Sequence, residues 1–148
     1  MLNIDLHCHS TISDGLLTPV QLVERAALRG VETLALTDHD DIAGLAEARQ
    51  TAAAKNITFI NGVEISVSWR GRTLHIVGLD IDPEYTPLIE GLAAIRLGRS
   101  QRAANIAAEL DKIGIHGSLE GAYAHVGERR LIGRTHFARF LVEQGYAK

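Results

Sequence analysis

The 148-residue chain has a single cysteine, Cys8, so it cannot close an internal disulfide, which agrees with a reducing compartment. It has no apolar run approaching the roughly 20 residues a membrane span needs, and its N-terminus lacks a basic region followed by an apolar stretch and a small-residue cleavage site. A cytoplasmic location with no membrane partner is the expectation. It also lacks an excess of basic charge: the formal net charge of -3 argues against a broad nucleic-acid-binding face, although local basic spots remain open. There is no internal repeat and no low-complexity tract. With 46% hydrophobic and 22% charged residues, the composition excludes disorder and suits one domain with a sizeable core.

What is present is a regular alternation. Ile4 to Leu6 reads as a short buried strand. Thr18-Pro19 then starts a helix, a capping hydroxyl followed by proline at the first helical position, and Leu22, Val23, Ala26 and Ala27 recur at helical spacing until Gly30 stops it. Val31 to Thr37 reads as a strand with an apolar centre, Leu34-Ala35-Leu36, as a parallel strand covered on both faces requires. A second, alanine-rich helix is expected over Gly44 to Lys55, and a strand over Ile57 to Ile65, broken by Asn61-Gly62. Val67 to Trp69 and Arg72 to Asp80 read as a hairpin about Arg70-Gly71, with Trp69 packed at its turn. That makes about five strands, too few to close a barrel.

Past Pro83 and Pro87 the pattern becomes helical. One helix is expected from Leu88 to Ile113, with an apolar stripe of Leu92, Ile95, Ile106, Leu110 and Ile113, and a last helix from Thr135 to Gln144 capped by Thr135. The fold expected is α/β: residues 1–85 form the N-terminal part of a β/α barrel, and 86–148 form an α-helical segment capping its opening.

The segment Asp5-Leu6-His7-Cys8-His9-Ser10-Thr11-Ile12-Ser13-Asp14-Gly15 carries the chemistry. Strand side chains two apart share a face, about 6.5–7 Å along the chain, so His7 and His9 present two imidazoles to one point while Cys8 turns away. Asp14, after a polar turn closed by Gly15, can bring a carboxylate to the same place. Later strand ends deliver His39, Glu64 and His75. Taken singly, His39 between Asp38 and Asp40 also fits a solvated acidic loop, Glu64 a strand-end charge, and His75 a satisfied core histidine. Their recurrence at successive strand ends favours six nitrogen and oxygen ligands, too many for one four-coordinate zinc, so two or three ions are implied.

Four ordered motifs resemble those of the PHP (polymerase and histidinol phosphatase) family of metal-dependent phosphoesterases. They are His7-Cys8-His9-Ser10 with Ser13-Asp14-Gly15, then Leu36-Thr37-Asp38-His39-Asp40, then Gly62-Val63-Glu64-Ile65-Ser66, and His75-Ile76-Val77-Gly78. The resemblance implies a distorted, here incomplete, barrel and a site of three divalent ions, manganese being expected and iron or zinc the alternatives. It matches His7, His9, Asp14, His39, Glu64 and His75 to metal ligands. Arg99-Ser100-Gln101-Arg102 and Gly133 to Leu141 resemble the subgroup of 3′,5′-nucleoside bisphosphate phosphatases and 5′→3′ exoribonucleases. This implies Arg99, Ser100, Arg102 and Arg134 as substrate-binding residues and a nucleotide or short RNA as substrate. The family pattern continues with a His-Pro strand end and an Asp-x-His pair that do not occur before Lys148, so a remaining C-terminal part of the barrel is expected.

In such a site metal-activated water attacks phosphorus without a serine or cysteine nucleophile. Asp14 and His39 are the candidates for orienting that water or assisting the leaving oxygen. In the helical segment Arg99 and Arg102 occupy gaps in the apolar stripe and so point inward, where a guanidinium needs an anion: a substrate phosphate, or an acidic side chain of the barrel. Arg134, before the last helix, is placed for phosphate or for solvent. His116, His125 and His136 lack ligand-like companions and read as surface or capping residues. The competing functions are a histidinol-phosphate-like sugar or amino-alcohol phosphatase and a non-catalytic, metal-stabilised interaction module.

Overall fold

The structure, a computed structural model, describes residues 2–127 and 131–148. The chain divides into two compact units, Met1–Ala93 and Ala94–Lys148. In the first, β1 (Ile4–Cys8), α1 (Pro19–Leu28), β2 (Thr33–Leu36), α2 (Leu45–Ala54), β3 (Thr58–Trp69) and β4 (Arg72–Leu79) follow one another, and α3 (Thr86–Leu97) runs across the division. The second holds α4 (Arg99–Lys112), α5 (Ser118–Ala124) and α6 (Arg134–Glu143). Among the described residues no helix is long and apolar enough to cross a membrane.

The strands form one sheet in the order β1-β2-β3-β4, parallel across β1, β2 and β3 and antiparallel between β3 and β4. This is the open part of a distorted β/α barrel, with helices connecting its parallel strands. Helix α1 begins as its sequence dictates: Thr18 Oγ1 accepts from the Gln21 amide (3.3 Å), Gln21 Oε1 accepts from the Thr18 amide (3.1 Å), and Pro19 occupies the first turn. Val23 and Ala26 of α1, Leu34 and Leu36 of β2, Leu45, Ala48 and Ala52 of α2, and Ile57 make the buried core. The alanines of α2 let the helix lie close against that layer, where larger side chains would overpack it.

Five expectations change. The strand at Ile4 to Leu6 is not buried: Ile4 is 50% and Leu6 38% exposed on β1. The strand expected to break at Asn61-Gly62 runs on unbroken through Trp69, so Val67 to Trp69 is no separate strand and the described residues contain four strands, not five. Gly62 marks a close approach instead: a Cβ there would stand 2.7 Å from Thr37 Cγ2 and 2.9 Å from the Leu36 carbonyl oxygen. Trp69 is not packed at the hairpin; it is exposed, with the Arg70 guanidinium 4.4 Å from its ring centroid.

The single helix expected from Leu88 to Ile113 is two, parted at Gly98, a residue that costs about 1 kcal/mol in a helix interior. Ala103 and Ala107 form the inner face of α4, and Ile113, at the helix end, is exposed. The last helix starts at Arg134 rather than being capped by Thr135. The buried His136 does the capping, its Nδ1 accepting from the Gly133 amide at 3.0 Å.

Candidate metal centre

Backbone pairing builds the site. Thr37 donates to the Cys8 carbonyl through both its amide (3.0 Å) and its hydroxyl (3.1 Å), joining the ends of β1 and β2. Beyond β2, the Glu64 amide donates to the Asp38 carbonyl (3.1 Å) and the Asp40 amide to the Glu64 carbonyl (2.9 Å), an isolated parallel bridge between His39 and Glu64. In the β3–β4 ladder His75 lies opposite Ser66, two residues beyond Glu64 and so on the same face of the ribbon. Gly15 folds the intervening loop back so tightly that a Cβ there would collide with the His9 carbonyl.

Glu64, buried, is the hub. Its Oε2 lies 2.9 Å from His7 Nε2, 3.1 Å from His9 Nε2 and 3.4 Å from His39 Nδ1, and its Oε1 lies 3.2 Å from His75 Nδ1. Asp14 sits further out, 3.9 Å from His9 Nδ1 and 3.8 Å from His39 Nε2. Three overlapping donor groups result: His7, His9 and Glu64; His9, Asp14 and His39; and His39, Glu64 and His75. All six residues expected as ligands are therefore brought together.

These residues fit a metal ion on their own geometry. Two ligand atoms each about 2.1 Å from one ion at a near-tetrahedral angle stand about 3.4 Å apart, and the nitrogen-oxygen separations around Glu64 lie close to that. The buried Nδ1 of His9 has no hydrogen-bond partner among the described residues, an expensive state for a polar atom unless a ligand completes it. The protonation states agree. Burial holds the His39 imidazole below its ordinary 6.5 against the opposing pull of Asp14 and Glu64, which favours the neutral, ligating form. For Glu64 burial works toward a higher value. The His7 hydrogen bond and the charges of His39, His7 and His9 outweigh it and hold the carboxyl below its ordinary 4.5. Nitrogen and carboxylate donors without thiolate suit manganese, iron or zinc. Cys8 stays outside: its Sγ donates to the Ala35 carbonyl at 3.1 Å, and burial, with the charges of Asp5 and Asp38, pushes its thiol up to about 12.

The acidic neighbours of His39 are no solvated loop. Asp38 is buried and accepts from the Ser10 amide (2.7 Å), the Ser10 hydroxyl (2.7 Å) and the Ser13 hydroxyl (2.6 Å); burial raises its carboxyl despite those bonds. Asp40, buried and in the left-handed backbone region at φ 53°, accepts from the Ser66 amide at 2.6 Å. Sequence reasoning missed these residues as parts of the site. A usable signal was two acids within four residues of the buried Leu34-Ala35-Leu36 segment, where burial demands donors.

The proposed substrate-binding residues all lie in the helical unit. Arg99 is buried, as the gap in the stripe required, and its Nη1 donates to the Leu131 carbonyl at 3.3 Å. Ser100 is exposed beside it, Arg102 is half-buried, and Arg134 is exposed at the start of α6. Of the remaining histidines, His116 pairs with Asp111 (3.2 Å) and His125 with Glu143 (3.1 Å), while His136 has the capping role.

A family model for the PHP domain matches residues 5–138. The chain belongs to the PHP domain family. Over all of its 148 residues this PHP domain is 53% identical to the 3′,5′-nucleoside bisphosphate phosphatase of Chromobacterium violaceum, of which it covers 52%. Over 145 residues, 97% of the chain, it is 48% identical to a 5′-3′ exoribonuclease of Escherichia coli, covering 49% of that protein. Its backbone superimposes with a TM-score of 0.94, at 52% identity, on an amidohydrolase structure from Chromobacterium violaceum with bound sulfate and no metal. The match covers 98% of this chain and 51% of that one. The PHP domain thus spans about half the length of the curated relatives it matches.

Proposed function

We propose that this PHP domain is the N-terminal half of a metal-dependent phosphoesterase that hydrolyses a phosphate monoester of a nucleotide. It would convert a 3′,5′-nucleoside bisphosphate to the 5′-monophosphate, with 5′→3′ cleavage of short RNA as the related activity and a cytoplasmic setting. The observation that carries the reading is the Glu64 carboxylate ringed by four imidazoles, with Asp14 facing two of them. The names of the relatives support the nucleotide substrate.

In this reading His7, His9, Asp14, His39, Glu64 and His75 hold divalent ions, three in the complete protein and manganese by expectation. Such ions, when bound, lower the pKa of water toward neutrality and neutralise phosphoryl oxygens. The chain's own residues do the rest. Asp14 and His39, 3.8 Å apart within one donor group, orient the attacking water or assist the leaving oxygen. Arg99, Ser100, Arg102 and Arg134 supply donors for a second phosphate, a role suited to the guanidinium fork.

The test is an assay of this chain, with and without its natural continuation, in manganese against 3′,5′-bisphosphates, monophosphates, histidinol phosphate and sugar phosphates. The continued chain should prefer the bisphosphate. The 148 residues alone should bind fewer than three ions tightly and turn over little, because six ligands shared among three ions leave coordination positions to water. Preference for histidinol phosphate would move the substrate to amino-alcohol phosphates. Metal binding without hydrolysis of any of these substrates by the continued chain would leave a metal-stabilised interaction module.

A further inference from the structure

We propose that Asp38 is a positioning residue that sets the outer donor group, His9, Asp14 and His39, before any ion arrives. The inference deepens the metal-centre reading above and rests on it.

The argument is one of adjacency. Ser10 follows His9, Ser13 precedes Asp14, and Asp38 precedes His39, so each member of the donor group is covalently next to one member of a buried network. In that network the Asp38 carboxylate is the acceptor that both serines share. Asp38 Oδ1 takes the Ser10 amide at 2.7 Å and the Ser13 hydroxyl at 2.6 Å, while Oδ2 takes the Ser10 hydroxyl at 2.7 Å. Asp38, Ser10 and Ser13 are each no more than 2% exposed, so water does not compete for these bonds.

The chemistry of the acceptor matters. An ionised carboxylate has two oxygens and no donor, so it serves all three protons; a carboxamide offers one oxygen and presents its own N–H groups to hydroxyls that must then turn. The loop's internal bonds, Ser13 and Gly15 amides to the Ser10 carbonyl (3.1 and 2.9 Å) and the Ile12 amide to Ser10 Oγ (3.2 Å), shape the turn but do not tie it to β2. Asp38 does that. It belongs to none of the three donor groups, so its effect on metal binding passes through the residues it holds.

The other two donor groups give the internal control. The side chains of His7, Glu64 and His75 have no bond to the Asp38 carboxylate or the two serines among the described contacts; Glu64 meets Asp38 only through the main chain, its amide donating to the Asp38 carbonyl at 3.1 Å. The other two groups share one member each with the outer group, His9 and His39, so weakening the anchor should affect most the group whose three members all adjoin it and the others less.

The experiment titrates the chain, together with its natural continuation, with cobalt(II), reading the visible absorption that reports coordination geometry, for wild type, Asp38→Asn and Ser13→Ala. Hydrogen exchange over residues 9–15 and circular dichroism accompany each titration. Asp38→Asn should weaken one class of cobalt site by about 10- to 100-fold, affect the remaining classes by clearly less, and speed amide exchange at Ser10. Ser13→Ala, which removes one donor only, should move the same class in the same direction by less, and it decides the matter if Asp38→Asn fails to fold. Identical cobalt affinity and exchange in wild type and folded variants would overturn the positioning role alone. Equal weakening of every cobalt class would also overturn it, by showing a general structural effect. A wild-type chain that takes up no cobalt would overturn the metal-centre reading and this inference with it.

Discussion

The backbone of Glu64 is hydrogen-bonded to both chain neighbours of His39, its amide to the Asp38 carbonyl at 3.1 Å and its carbonyl to the Asp40 amide at 2.9 Å. The pairing continues the β2–β3 register past the end of β2 and fixes the two side chains next to each other, His39 Nδ1 lying 3.4 Å from Glu64 Oε2. Asp40 achieves this by adopting the left-handed backbone at φ 53°, a conformation an aspartate tolerates better than most residues. The hub of the centre is therefore held by main chain, which side-chain substitutions leave intact.

Because Glu64 and His9 each belong to two donor groups and His7 to one, their removal should not be equivalent. Glu64→Gln and His9→Ala should each weaken metal binding at two sites, by at least about tenfold, and His7→Ala at one. His7 is half exposed, so its loss should leave the circular dichroism spectrum unchanged. Metal content after dialysis checks the order. Equal losses in all three variants would show that the groups do not act separately.

Cys8 should resist alkylation. With its thiol pushed up to about 12, the thiolate fraction at pH 8 is on the order of one in ten thousand, and the sulfur already donates to the Ala35 carbonyl. Iodoacetamide labelling of the folded chain should run orders of magnitude slower than labelling in denaturant. Comparable rates would mean that β1 opens readily.

The three arginines of the helical unit should separate by stability before they separate by kinetics. Arg99→Ala removes a buried side chain and leaves the Leu131 carbonyl without that donor, at a cost of about 1–3 kcal/mol, whereas the exposed Arg134→Ala should stay within about 0.5 kcal/mol. In the complete protein, loss of a contact to a second phosphate should lower kcat/KM by about thirty- to a hundredfold, and more for a bisphosphate than for a monophosphate. Denaturant titration and kinetics on both substrates check the two parts. Equal kinetic losses on the two substrates would assign these arginines to structure or to the scissile group.

The sequence by itself determined the order β1-α1-β2-α2-β3 and the six candidate ligands. Both depend on local rules. The two-residue period of a strand puts His7 and His9 on one face, and a strand with an apolar centre ending in polar residues places His39 just past its end; Glu64 and His75, expected at strand ends, lie instead within β3 and β4. Thr18-Pro19 with Gln21 started α1 as read, because a capping box spans four residues only.

The tertiary structure decided what depends on partners far along the chain. Asn61-Gly62, a turn signal taken alone, lies inside β3 because β2 and β4 pair on either side of it and only a glycine admits the approach of Leu36 and Thr37. Gly133 and His136 start α6 where Thr135 had the better local credentials, because a buried imidazole served as the cap. Asp38 reads as a surface acid until the fold brings it Ser10 and Ser13, 28 and 25 residues away. A buried carboxylate is stable only if donors reach it, and which donors do so is fixed by strand register and loop path, which no local periodicity encodes.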